Sequence, residues 1–354
     1  MAYGEKRQSA SDAAYRKLKD DLKNGSPLAR CYLFYGEESY LREHYLGKLR
    51  GAILSSGFEE FNYHAFEGKD LRVETLAEAV ESMPMMAERT LTVVSDYDLF
   101  NSQMAEGEQE ALIALLSDVP EYACLVFVYD ALEYKQDKRK KRLCAALAEN
   151  VCEVCFLPQS QDDLTRWIAR RFRALDKEID RRTAEYLIFL CGDLMSGLTQ
   201  EIAKIAAYAK GPRVTQEDID AIAEPVLSAE IFKMTDCVTQ GDYDRAAQIM
   251  GDLLKMQEEP IAITAALGSQ LRRLYTARLA LDEGKDKSWL MEMWSMRSDY
   301  PAKLLLAAAA RTSRAWCEEA VEACQTLDRR LKSERGIDDE GELKLFLVEL
   351  GASR

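Results

Sequence analysis

Two histidines, His44 and His64, in 354 residues leave almost nothing from which a His-rich zinc cluster or a Cys/His nucleophile pair could be assembled. A phosphate-binding GxxxxGK[ST] loop is missing as well. No stretch of about 18 uncharged apolar residues occurs, and the first residues, MAYGEKRQSASDAAY, hold neither an apolar core nor a small-residue cleavage pattern. A membrane span and a secretory leader are therefore not expected, and the expected location is the cytoplasm. Positive charge is also in deficit: 47 Lys and Arg face 61 Asp and Glu, a formal charge of −14. Up to Pro158 there are 19 basic against 27 acidic residues, and beyond it 28 against 34, so the two parts carry −8 and −6. A chain that gripped duplex DNA unaided would need a net basic domain or stripe. Autonomous DNA binding is not expected, and an anionic membrane surface is an equally poor partner.

Nine cysteines, an odd number, sit mostly inside apolar runs such as CYLFY at 31–35 and ACLVFV at 123–128. That is the usage of reduced, buried thiols. Cys152 and Cys155 have CxxC spacing, but a strand there would point them to opposite faces, and no second such pair follows. Neither a metal nor a cofactor is expected.

What is present is a globular composition, 47% hydrophobic and 31% charged, in a chain long enough for two or three domains at roughly 150 residues each. Up to Pro158 the hydrophobic period switches repeatedly between 2 and about 3.6 residues, the mark of an α/β layer structure. Residues 31–35, 61–66, 90–95, 123–129 and 151–157 read as strands rich in Val, Phe and Tyr. Helices fall between them, one carrying Leu41, Tyr45, Leu49 and Ile53 on a single face. This order predicts a mostly parallel sheet covered on both faces. Beyond Pro158 the strand signal stops. Amphipathic helices follow, broken at Gly192, Gly211-Pro212 and Glu224-Pro225, which places a small helical domain over 159–225 and a larger helical bundle over 226–354.

Few residues suggest chemistry. Gly36 at the end of the first strand is followed by Glu37 and Glu38, whose carboxylates would repel a phosphate from the next helix N-terminus. Asp130 reads as a strand-end cap, and Asp96 and Asp98 as solvated loop residues. No catalytic site is expected. Two segments stand out. In SMPMMAER at 82–89, Pro84 ends a helix and leaves Met85 and Met86 at an element boundary. There they either cap the core or stand exposed to enter a partner's pocket. In KQDKRKKR at 135–142, six basic residues accompany one acidic residue, either as a solvated helix face or as a contact for phosphate or an acidic partner.

Taken together, six segments resemble the delta subunit of bacterial DNA polymerase III, the clamp-opening member of the clamp loader. They are YLFYGEESYLREHYL at 32–46, MPMMAERTLTVV at 83–94, DKRKKRL at 137–143, QEIAKIAAYA at 200–209, SAEIFKMTDCV at 228–238 and LGSQLRRLYTARL at 267–279. The resemblance implies an AAA+-like (RecA-like) α/β module over 1–158 that has lost its P-loop, a helical lid over 159–225 and an all-α collar over 226–354. It implies no ATPase activity of its own. The implied partners are the sliding clamp (beta subunit), the gamma/tau motor and delta-prime subunits, and primer-template DNA within the assembled loader. Met85 and Met86, following Pro84, match the family's apolar pair that enters the clamp's hydrophobic pocket. The family more often carries Leu or Phe there. For DNA, the resemblance points to Tyr300 before Pro301, and the basic residues Lys138, Arg139, Lys140 and Lys141 are further candidates. The competing readings are an active AAA+ ATPase with a divergent nucleotide loop, against which the missing GK[ST] argues, and another subunit of the same loader, such as delta-prime or a motor, which as a rule carries a zinc-binding Cys cluster or a P-loop.

Overall fold

The computed structural model describes residues 2–54, 58–334 and 336–352. The chain divides into two compact units, one of residues Met1–Pro158 with Leu194–Ser196, the other of Gln159–Asp193 with Gly197–Arg354.

In the first unit the order is α1 (Ala2–Asn24), β1 (Cys31–Tyr35), α2 (Ser39–Ile53), α3 (Glu59–Asn62), β2 (Tyr63–Glu67), α4 (Val73–Glu81), β3 (Thr90–Ser95), α5 (Glu106–Ser117), β4 (Ala123–Val128), α6 (Lys141–Asn150) and β5 (Cys152–Cys155). The strands form one sheet in the order β2-β3-β4-β1-β5, with every pairing parallel. Burial explains the sequence pattern. Every residue of β4, ACLVFV, is buried, and so are the first four of β1, as expected of central strands covered on both faces. The edge strand β2 alternates between half-buried and exposed. On one face α4, α5 and α6 close a core that includes Leu33, Leu76, Val94, Leu112, Phe127 and Leu143. On the other, Phe34 and Phe156 meet edge to face at 5.1 Å, and Tyr15 of α1 and Tyr45 of α2 pack on Phe156 at 5.8 and 6.0 Å.

The expected strands 31–35 and 90–95 have the observed bounds. The second begins two residues later than expected, because Asn62 uses its side chain to hold α3 and the neighbouring loop together, and Phe61 stays on α3, exposed.

The second unit is helical: α7 (Gln161–Arg173), α8 (Arg181–Cys191), α9 (Met195–Tyr208, whose first two residues belong to the first unit), α10 (Gln216–Ile222), α11 (Leu227–Gln240), α12 (Tyr243–Lys255), α13 (Pro260–Asp282), α14 (Lys287–Met293), α15 (Asp299–Ala309), α16 (Arg314–Ser333) and α17 (Asp339–Ala352). Its starts are written in the sequence. Ser160, Asp180, Thr215, Asp242, Ser298 and Ser313 each accept a backbone N–H from the first turn of the helix that follows. Thr215 and Asp218 form a reciprocal capping box. From α11 to α17 the apolar faces share one core built around Ile263, Leu267, Leu271 and Leu274 of α13. Trp316 of α16 donates its indole N–H to Leu350 O of α17 at 3.2 Å, tying the last helix to that core.

Candidate functional site

Among the described residues of the first unit, the segment 82–89 between α4 and β3 is the most apolar exposed feature. Met83 is 82% exposed, Met85 53% and Met86 74%. Nearby in the chain, Phe58 and Phe61 are also exposed. Such a patch is unfavourable in water unless something covers it.

Four sets of hydrogen bonds hold the segment. Tyr122 donates its hydroxyl to Glu81 O at 2.9 Å, fixing the end of α4. Ser82 Oγ meets His64 Nε2 of β2 at 3.3 Å. Met85 N donates to Asn62 Oδ1 at 2.7 Å, while Asn62 Nδ2 donates to both Met85 O and Phe58 O at 2.8 Å. Arg89 donates to the carbonyl of Ala123, the first residue of β4, at 3.0 Å. Asn62 is fully buried, so its amide acts as an internal staple between α3 and the loop. Met86 adopts a left-handed φ of +55°, a conformation that costs a side-chain-bearing residue roughly 1–2 kcal/mol. The backbone thus carries strain while presenting two large apolar side chains to solvent. Pro84 is half-buried between them and Met83.

Sequence reasoning named the Met pair but missed Asn62, Phe58 and Phe61. The FN pair at 61–62 looked like the start of a strand. Only the tertiary bond from Asn62 to Met85 distinguishes it.

A second place that ligands favour in α/β sheets is where the chain leaves neighbouring strands in opposite directions. Here β1 leads toward β2 and β4 toward β5. The turn after β1 is short. Gly36 has a φ of +117°, and a Cβ on it would lie 2.4 Å from Phe156 O. The amide of Glu38 is already donated to that same carbonyl at 3.0 Å. Glu38 is itself buried and accepts from Met195 N at 3.0 Å, so its carboxylate is held inside the fold at the start of α2. Arg42, also buried, donates to Gly36 O at 2.7 Å and forms an ion pair with Asp130. Backbone amides that would cradle a phosphate are thus spent on internal bonds, and a guanidinium–carboxylate pair closes the turn.

Asp130 is therefore an ionic partner rather than a cap. The capping role belongs to Asp96, whose carboxylate accepts from the backbone N–H groups of Asp130, Ala131 and Leu132 at 2.8, 3.2 and 2.9 Å. Partial burial opposes its ionisation, but these amides and the charge of Arg42 outweigh it and hold the carboxyl below the ordinary aspartate range.

The basic run is largely engaged with its own surroundings. Arg139 pairs with Asp137, whose carboxyl the guanidinium bonds push down to about 2. Lys140 donates to Asn101 O at 2.7 Å, Lys135 pairs with Glu133 at 2.6 Å, and Arg142 embraces Glu110, with one contact at 2.7 Å. Lys138 and Lys141 are exposed at and just before the start of α6. In the second unit, Tyr300 is the second residue of α15, its N–H capped by Ser298 Oγ at 3.2 Å. Its half-buried ring packs on Phe189 at 5.4 Å and Tyr186 at 6.3 Å.

Two family models match the chain, DNA polymerase III, delta subunit over residues 32–156 and DNA polymerase III delta subunit, C-terminal domain over 228–350. The chain belongs to the DNA polymerase III delta subunit family. Within it, the DNA polymerase III subunit delta of Bacillus subtilis is 27% identical over 326 residues, 90% of this chain and 92% of the relative. A probable DNA polymerase III subunit delta of Aquifex aeolicus is 23% identical and spans 77% and 78% of the two chains. The solved structure of a Bacillus subtilis DNA clamp loader delta protein superposes with a TM-score of 0.52 at 23% identity, covering 95% of this chain and 99% of that one. The fold is accordingly that of this clamp loader delta protein: a parallel α/β module, here without a GxxxxGK[ST] phosphate loop, followed by helices. Among the described residues no helix is long and apolar enough to cross a membrane.

Proposed function

We propose that this delta family member is the non-ATPase subunit of the clamp loader that binds the sliding clamp and opens its ring for loading onto primed DNA. Met85 and Met86 are the anchors, with Pro84 setting their approach. The observation that carries the reading is an apolar pair held 53% and 74% exposed on a loop tethered to the sheet. A buried Met side chain contributes about 1.5–3 kcal/mol when it leaves water, and higher affinity for an opened ring than for a closed one would bias the clamp toward opening. ATP would be hydrolysed by the gamma/tau motor subunits, which join with delta-prime through the helical collar at 226–354, beyond a lid at 159–225. Tyr300 and the run Lys138, Arg139, Lys140 and Lys141 would meet primer-template DNA inside the assembled loader.

The test is binding of the full chain to the sliding clamp of the same organism, native against Met85→Ala/Met86→Ala. The double substitution is expected to weaken binding by about a hundredfold or more, with circular dichroism and thermal midpoint unchanged. Equal binding by the folded variant, or none by the native chain, would overturn the assignment.

A further inference from the structure

A leucine or phenylalanine at 85 and 86 would supply the same apolar surface as methionine. Methionine adds one property, a thioether open to oxidation. Among the described residues five methionines are exposed: Met83, Met85, Met86, Met256 and Met293. Three of them fall within four residues. Met195, Met234 and Met250 are at most 3% exposed and shielded by their cores. The exposed thioethers of the loop therefore sit where peroxide in solution reaches them without any opening of the fold.

We propose that Met83, Met85 and Met86 form a methionine-oxidation site through which hydrogen peroxide switches off docking of the clamp, an inference that rests on the reading of Met85 and Met86 as its anchors. In the reaction the thioether sulfur attacks one peroxide oxygen, the O–O bond breaks, an S=O bond forms, and the departing hydroxide takes up a proton to leave as water. Sulfur loses two electrons and the peroxide gains them. A dithiol reductant reverses the step, removing the oxygen as water and becoming a disulfide. The sulfoxide is a strongly polar group without a partner in an apolar pocket, a change that weakens association about tenfold or more per anchor. The loop has little freedom to turn the altered side chains aside. Asn62 holds Met85 at both its N–H and its C=O, and Met86 is confined to φ +55°.

The experiment treats the full chain alone with hydrogen peroxide, quenches with catalase, maps sulfoxides by peptide mass spectrometry and then measures clamp binding. Expected are sulfoxides at Met83, Met85, Met86, Met256 and Met293, intact Met195, Met234 and Met250, and binding weakened tenfold or more, with recovery after methionine sulfoxide reductase. The Met83→Leu/Met85→Leu/Met86→Leu chain, compared only with itself before and after treatment and whatever its own starting affinity, should lose none of its clamp binding to peroxide, which separates the site from oxidised cysteines and from Met256 and Met293. In a complete complex with the clamp, Met85 and Met86 should be protected while Met256 and Met293 still oxidise. Unchanged binding by a chain fully oxidised at 85 and 86, or equal peroxide sensitivity of the Leu variant, would overturn the inference alone. Absence of binding before any peroxide would overturn the clamp assignment and the inference with it.

Discussion

Asn62 grips the main chain of Met85 from both sides, accepting its N–H at 2.7 Å and donating to its carbonyl at 2.8 Å, while the same amide nitrogen also reaches Phe58 O. A fully buried residue thereby sets the position of an exposed one.

Replacing this staple should therefore be felt at a distance. Asn62→Ala is expected to cost about 2 kcal/mol in urea unfolding, since three part-buried hydrogen bonds go and the backbone of Met85 and Phe58 loses its partner. Clamp affinity should fall as well, although Asn62 is not exposed to any partner. A variant destabilised by that amount that binds the clamp as tightly as the native chain would show that the staple does not position the loop.

Met86→Gly separates strain from contact. Glycine adopts φ +55° without penalty, which offsets its greater freedom in the unfolded chain. Stability should stay level or rise by up to about 1 kcal/mol while clamp binding drops. Thermal unfolding and binding measured on one preparation give the two readings, and a marked loss of stability would contradict the strain.

The turn after β1 offers a third test. Arg42 is 5% exposed and its partner Asp130 65%, so removing the carboxylate leaves a guanidinium poorly solvated, whereas much of Asp130 already faces water. Arg42→Ala, which also empties packed space and frees Gly36 O, should destabilise by about 2–3 kcal/mol, and Asp130→Ala by about 1–2 kcal/mol. Titration with a fluorescent ATP analogue should give no saturable signal in the native chain or in either variant. Micromolar binding would restore the divergent-ATPase reading.

Acid sensitivity should follow Asp96. Its carboxyl is held below the ordinary value of 3.8 in the folded chain, so its contribution is complete above that value and is lost as pH falls from about 4 toward the depressed one. Asp96→Asn should lower stability near neutral pH and flatten its dependence below pH 4. An unaltered acid limb in the variant would mean that other carboxylates dominate it.

Much of the fold was open to reading because burial alone dictates it. A strand such as β4, buried at every residue, must be a continuous apolar run, and the helices of the second unit announce themselves by Ser, Thr and Asp at their starts. Residues whose role depends on a distant segment were not legible. Asp96 looked like a loop charge because the amides it holds lie more than thirty residues later. Glu38 read only as a charge at a helix start, because the amide it holds, that of Met195, lies 157 residues later. The Met pair was visible as a motif, but whether it capped a core or faced water depended on Asn62, which carries no signal in its own neighbourhood.

The loop 82–89 is tethered at Glu81, Ser82, Met85 and Arg89 before any partner arrives. A slack loop would surrender roughly 1–2 kcal/mol of backbone freedom per residue on docking, and here that loss has already occurred during folding. Encounter with a partner then needs no slow rearrangement of the loop. Association should run at a rate set by collision and orientation, and the Met85 and Met86 variants, which keep the tethers, should differ from the native chain chiefly in how fast the complex falls apart.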